Sequence, residues 1–266
     1  MFISPQQGRL SLVRQDDHMA QTAVLATNWA REWFSDGAER DDLVTAMATH
    51  DAGWSAPDDK VLFDAESGRP RNFFQVGIRD HAEFYRNGYE LALSRREGAA
   101  LLVGMHWIGL YQSRFGIEPQ LQFRIGEEER AFADEVIDRN EREWSALRRN
   151  MWTSDQKRAT FDDRIWRNYE VFQFIDRVSI AVCMNDLSVP RTLQLGEVRL
   201  DDTYQEMTAD IVGDGTVRVH PFPFDEAFEA PVRRRFIDET RYAHQEELAA
   251  AVAAADEDPI QCLIRP

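Results

Sequence analysis

The feature that most constrains this chain is a set of histidines in places that normally hold apolar residues. His18, His50, His81 and His106 each fall on the core-facing side of a different predicted helix, and Asp176 interrupts the apolar face of another. The alternating segment GRLSLVR at 8–14 reads as a short strand. It leads into a helix carrying His18, Ala23, Ala26, Ala30 and Trp33, for which Asp16 and Asp17 offer capping groups. From Asp41 or Asp42 a second helix places Leu43, Ala46, Met47 and His50 at i, i+3, i+4 and i+7, and Gly53 helps to end it. Asp80 is a cap for a third, which puts His81, Phe84, Tyr85, Gly88 and Ala92 along one face, and a fourth aligns Ala99, Leu102, Val103, His106 and Leu110. Two longer helices follow, over about 127–149 and about 163–183. The first carries Phe132, Val136, Trp144 and Leu147, and the second Ile165, Tyr169, Phe172, Asp176, Ile180 and Cys183.

The stretch 55–77 contains Pro57, Gly68, Pro70 and Gly77 without a sustained period, and reads as a long loop able to cover a pocket. After Pro190 the texture changes. TLQLGEVRL, MTADIV and TVRVH alternate with a period near two, and Gly213-Asp214-Gly215 is a hairpin-type turn. A short helix, EELAAAVAAA, and an apolar segment, IQCLIR, finish the chain, and the N-terminal strand is expected to be able to join the same sheet. The expected fold is mainly α: a helical domain over 1–188 with a β-rich C-terminal elaboration over 189–266, α+β when taken together.

A lone histidine on an apolar face is ordinarily a hydrogen-bonded core residue. Four of them, joined by Asp51 and Asp176, pose a different problem, because an ionised carboxylate buried without a partner costs several kcal/mol. A cation removes that cost. Imidazole nitrogen and carboxylate oxygen suit iron, manganese, cobalt or zinc, and six such groups exceed what one structural zinc needs, so two metal ions are the economical reading. If His50 and Asp51 are consecutive on a helix they project about 100° apart, which lets the imidazole reach one metal while the carboxylate extends between two.

The order His18, His50-Asp51, His81, His106, Asp176 resembles the H…HD…H…H…D pattern of dinuclear members of the HD-domain superfamily, which are all-helical metalloproteins. The segments QDDHM, THDAGW, SGRPRNF, GMHWIGLY and FQFIDRVSIAVC also look like an uncharacterised bacterial family, domain of unknown function 3891. The superfamily resemblance implies that His18, His50 and Asp176 bind one metal, that His81 and His106 bind the other, and that Asp51 bridges them and takes part in catalysis. Many superfamily members carry a lysine shortly after the HD pair, whereas this chain reads HDAGW and has Trp54 there. Arg69, Arg71 and Arg114 are the candidate cations for a substrate, and Trp54 and Tyr111 are candidate walls of a partly apolar substrate site. Asp17, beside His18, is either a helix cap or an acceptor that orients the imidazole.

Three functions follow as expectations. The first is a non-haem di-iron oxygenase of a small polar organic molecule, favoured by the missing lysine and the aromatic surroundings. The second is a metal-dependent phosphohydrolase of a phosphomonoester or nucleotide, in which two metals lower the pKa of a bridging water. The third is a non-catalytic binding protein stabilised by metal. Lys and Arg number 31 against 47 Asp and Glu, a net charge of −16, which excludes general nucleic-acid binding. No apolar run is long enough to span a bilayer. MFISPQQGRL lacks the pattern of a secretory leader, and Cys183 and Cys262 form no CxxC pair, so a reduced, cytoplasmic protein is expected. Cys183 reads as inert core, and His220 and His244 as surface residues. There is no GxSxG, P-loop or strand-linked GxGxxG motif.

Overall fold

The computed structural model describes residues 1–112, 125–200 and 203–266. It opens with a hairpin in which β1 (Phe2–Gln6) runs antiparallel to β2 (Arg9–Val13), Phe2 facing Val13. The two connecting residues, Gln7 (φ 52°) and Gly8 (φ 78°), are both left-handed, the conformation whose twist suits the tightest hairpins. α1 (Gln15–Asn28) begins almost at once. Its N-cap is Arg14, which makes no side-chain capping bond, so Asp16 and Asp17 sit inside the first turn, where they favour the positive end of the helix dipole, and do not cap it. Ala30 and Trp33 lie beyond its end.

α2 (Gly37–Met47) starts earlier than the sequence suggests. The Asp36 side chain accepts from the Glu39 N–H at 2.9 Å, and the Glu39 carboxylate accepts from the Ser35 N–H at 3.1 Å, a reciprocal cap that sets the first turn. The helix also stops earlier, at Met47, so His50 and Asp51 stand in a turn and not on a helix. Asp51 immediately precedes a single 3-10 turn, Ala52–Trp54. The expected long loop is partly ordered into α3 (Ser55–Lys60) and a two-residue ladder of β3 (Phe63–Asp64) with β4 (Arg69–Pro70).

α4 (Ile78–Arg95) and α5 (Glu97–Tyr111) are separated by Arg96 alone and pack on each other. α4 has Gly77 at its N-cap, with Asp80 in the first turn. α5 is apolar nearly all round and packs against α2, α4, α6 (Arg130–Met151) and α7 (Arg158–Met184), as a helix with no polar face must. α6 turns one stripe inward, Ala133, Val136, Asn140, Trp144 and Leu147.

The C-terminal part forms β5 (Arg191–Leu200), β6 (Thr203–Ile211), β7 (Thr216–His220), β8 (Phe228–Glu229), β9 (Arg235–Asp238), α8 (Gln245–Ala254) and β10 (Leu263–Arg265). A five-stranded sheet has the order β5-β6-β7-β10-β8, and a three-stranded sheet the order β1-β2-β9. The N-terminal strands therefore meet a C-terminal strand in a sheet of their own and do not join the larger one. Leu195, Val198, Met207, Val217 and Ile264 of the larger sheet share one buried cluster with Leu25, Leu43, Leu101 and Phe174 of the helices. The fold is α+β. Among the described residues, no helix is long and apolar enough to cross a membrane.

Candidate metal centre

His18 projects from the first turn of α1, His50 from the turn after α2, and Asp176 from the middle of α7, and all three are buried. Nε2 of His18 and Nε2 of His50 are 3.3 Å apart, and Oδ1 of Asp176 lies 2.8 Å from the first and 3.6 Å from the second. Asp51 adds Oδ2 at 3.5 Å from His50 Nε2. Donor atoms of His18, His50 and Asp51 fall within 4.8 Å of one another, so this buried group can hold a metal ion.

The outer hydrogen bonds decide which ring nitrogens carry hydrogen. Gln21 donates its Nε2 to the Ala230 carbonyl at 2.6 Å, which leaves Gln21 Oε1 to accept from the Ser179 hydroxyl at 2.7 Å. With its hydrogen committed to Gln21, Ser179 Oγ can only accept from His18 Nδ1, 2.8 Å away. His50 Nδ1 likewise faces a pure acceptor, the Met47 carbonyl, at 3.0 Å. Each neutral ring therefore has its hydrogen on Nδ1 and a lone pair on Nε2. Two lone pairs and a carboxylate oxygen then converge with no hydrogen among them, an arrangement that only a proton or a metal cation stabilises. A distance of about 3.3 Å is also what two nitrogens bound at 2.0–2.1 Å to one tetrahedral cation would show. The back-bonded imidazoles are the usual outer support of histidine metal ligands.

Without a cation, a proton takes that place. Burial disfavours a charge on His50, yet Asp51 and the hydrogen-bonded Asp176 outweigh it and push the ring up to about 9. Burial alone would raise Asp176, but its contacts with His18 and His50 hold it well below the usual carboxylate range. His81 is driven the other way, to about 3, by burial and by His106. Burial also carries His106 down to about 4, against the pull of Asp176.

The other two histidines approach from α4 and α5. His81 Nδ1 lies 3.1 Å from the Tyr111 hydroxyl, and His106 Nε2 lies 3.5 Å from the Tyr85 hydroxyl. The rings of His50 and His106 meet edge to face at 5.6 Å. Two glycines let α4 come this close. A Cβ on Gly88 would be 2.6 Å from the His50 carbonyl oxygen, and one on Gly53 would overlap the Phe84 carbonyl. His81 on α4 is thus held near the His50-Asp51 turn by backbone contact.

Of the candidate substrate residues, Trp54 is buried edge-on to His81 at 5.8 Å, and Tyr111 is the hydrogen-bond partner of that same ring. Arg69 is at the surface, paired with Glu239 at 3.1 Å. Arg71 is part-exposed just after β4, where its N–H bonds the Leu62 carbonyl, and Arg114 lies outside the described residues. Asp17 turns to Arg233 at 2.6 Å and does not orient His18. A cavity of about 430 Å³ opens there, lined by Asp16, Asp17, Asp58, Arg14 and Arg233 among others, and none of the six metal-type side chains lines it. Cys183 is buried, and burial pushes its thiol up, as for an inert core residue. His220 is exposed, and His244 caps α8 by accepting from the Glu247 N–H.

Three residues at the centre escaped the sequence reading: Ser179, Gln21 and Tyr85. Ser179 and Gln21 had a faint signal, as polar residues on buried segments of the two helices that carry Asp176 and His18. Tyr85 sits four residues after His81, the spacing that puts two helical side chains side by side.

A family model described as "Protein of unknown function (DUF3891)" matches residues 1–239, which takes in all six metal-type residues and the strands through β9. No curated protein and no solved structure gives a significant match.

Proposed function

We propose that this chain, which belongs to the DUF3891 family of proteins of unknown function, is an HD-like dinuclear metalloenzyme, a non-haem di-iron oxygenase of a small polar organic substrate. The observation that carries the reading is the convergence of the His18 and His50 Nε2 lone pairs on the Asp176 carboxylate. In this assignment His18, His50 and Asp176 hold one iron, His81 and His106 hold the second, and Asp51 reaches both. Iron in such a site supplies one-electron and dioxygen chemistry. The protein's part is to position the substrate and exclude water, which the burial of all six side chains and the Trp54 and Tyr111 walls support.

The surroundings favour oxidation over phosphate hydrolysis. Trp54, Tyr85, Trp107, Tyr111 and Phe172 are packed around the histidines. Stabilising a phosphoryl group calls for fixed cationic donors. Arg177, next to Asp176 in sequence, turns its Nε to the Gln173 carbonyl at 3.1 Å, and Arg69 is engaged at the surface.

The test is metal analysis of protein purified without chelator, with spectra recorded anaerobically and after admission of air. Two irons per chain and an oxygen-responsive spectrum are expected. Redox-inert metal together with phosphate release from phosphomonoesters would move the assignment to hydrolysis. Stable folding without metal, unchanged when His81 and His106 are both replaced by alanine, would return the histidines to a structural role.

A further inference from the structure

Tyr85 is a side chain that the dinuclear assignment leaves unused. It stands on α4 one turn after His81, with its ring stacked on that imidazole at 4.6 Å and 28°, and it is 5% exposed. Its hydroxyl is 3.5 Å from His106 Nε2, and it interacts with the Asp51 carboxylate. One phenol oxygen thus sits between a histidine assigned to the second metal and the aspartate assigned to both. A separation of 3.5 Å is longer than a good N···O hydrogen bond. It is the spacing expected of two donors that each lie about 2.1 Å from one cation and subtend roughly 110–120° at it. Asp51 Oδ1 is buried and has no hydrogen-bond partner among the described residues, which leaves a carboxylate oxygen for a cation to satisfy.

We propose that Tyr85 is a ligand of the second metal position, its phenolate oxygen joining His81, His106 and Asp51. The inference rests on the dinuclear reading above and adds a ligand to it. On binding ferric iron the phenol O–H bond breaks, an O–Fe bond forms, and the proton leaves to solvent. A phenolate is a hard anionic donor that favours the ferric state, so the two positions become unequal: one held by neutral imidazoles and a carboxylate, the other also by an aryloxide. The second iron is the one kept oxidised.

The test uses the full chain stripped of metal, loaded anaerobically with ferrous iron and then exposed to dioxygen as the oxidant. Visible absorption and resonance Raman spectra are recorded together with iron content. A phenolate-to-iron charge-transfer band is expected in the parent protein, lost in Tyr85→Phe and retained in Tyr204→Phe, whose exposed hydroxyl bonds Glu170 at 2.9 Å. Raman ring modes excited in that band are expected to shift when the parent protein carries ring-deuterated tyrosine, a readout that does not depend on the variant folding. A parent protein with two irons and no such band, or a band that survives in Tyr85→Phe, overturns the assignment of Tyr85 and leaves the dinuclear centre standing. Fewer than two irons in the parent protein overturns both.

Discussion

The hydrogen on His18 Nδ1 is set by Ser179, and through it by Gln21. Replacing Ser179 with alanine strands that N–H and lets the ring turn or change tautomer. We expect Ser179→Ala to weaken metal binding about 10–100-fold, measured by competition with a chelator, because outer partners of ligating histidines typically carry that much. Asp176→Asn keeps the shape but removes the charge that faces two imidazoles, and His50→Ala and Asp51→Ala remove donors outright. All three are expected to lose most of their metal, whereas His220→Ala, exposed and remote, retains it. Equal occupancy across the four would contradict the centre.

The same residues set a pH signature for the metal-free chain. His50 lies near 6.5 unfolded and about 9 folded, so between those values the folded chain keeps a proton the unfolded chain has lost, and stability falls as pH rises. His81 and His106, held at about 3 and about 4, act in the opposite sense: below 6.5 the unfolded chain gains protons that the folded chain refuses, so stability falls on acidification. The melting temperature of the metal-free protein should therefore peak near 6.5. Saturating metal, which needs Nε2 of His50 unprotonated, should flatten the alkaline limb. Thermal melts across pH with and without metal check this, and a metal-free chain with no alkaline decline would contradict the His50 assignment.

Among the elements, α4 and the His50-Asp51 turn matter most, because their backbones touch through Gly88 and Gly53. Gly88→Ala forces a methyl against the His50 carbonyl, and the helix must move away. We expect a loss of about 1–3 kcal/mol, the usual scale of overpacking, seen as a lowered melting temperature, with the second metal lost before the first because His81 and Tyr85 ride on the displaced helix. Retention of both metals with unchanged stability would show that the contact is soft. Helices α4 and α6 were legible in the sequence because each buries one stripe, as His81, Tyr85, Gly88 and Ala92 do on α4. The end of α2 was not. Leu43, Ala46, Met47 and His50 fit a helical face, but the chain leaves the helix at Ala48 (φ −78°, ψ −3°), and no residue type there signals it. That departure frees His50 and Asp51 from the wide angular separation a helix would impose, so both reach the same centre. Five of the six metal-type residues were readable as polar groups on apolar faces, and Asp51 as the neighbour of His50; Tyr85 was not, since a tyrosine on such a face looks like ordinary core.

For the molecule as a whole, the helical part and the β-rich part are interdependent. β9 completes the sheet begun by β1 and β2, and the sheet residues share the main core with α1, α2, α5 and α7. A fragment ending at residue 188 lacks the third strand, the cover of that core and the Ala230 carbonyl. We expect it to keep helical circular dichroism but to melt without cooperativity and to bind metal poorly, whereas a sharp melt with full metal content would show that the helical part stands alone.

Ala230 itself is fixed on two sides: its N–H bonds the Cys262 carbonyl at 2.8 Å, and its own carbonyl receives Gln21, 209 residues earlier in the chain. One residue near the tail thereby governs the imidazole tautomer at the head. Chains that keep the same six donors but differ in this stretch would be expected to diverge in which cation they retain, so selectivity here can drift through tail sequence while every coordinating residue stays unchanged.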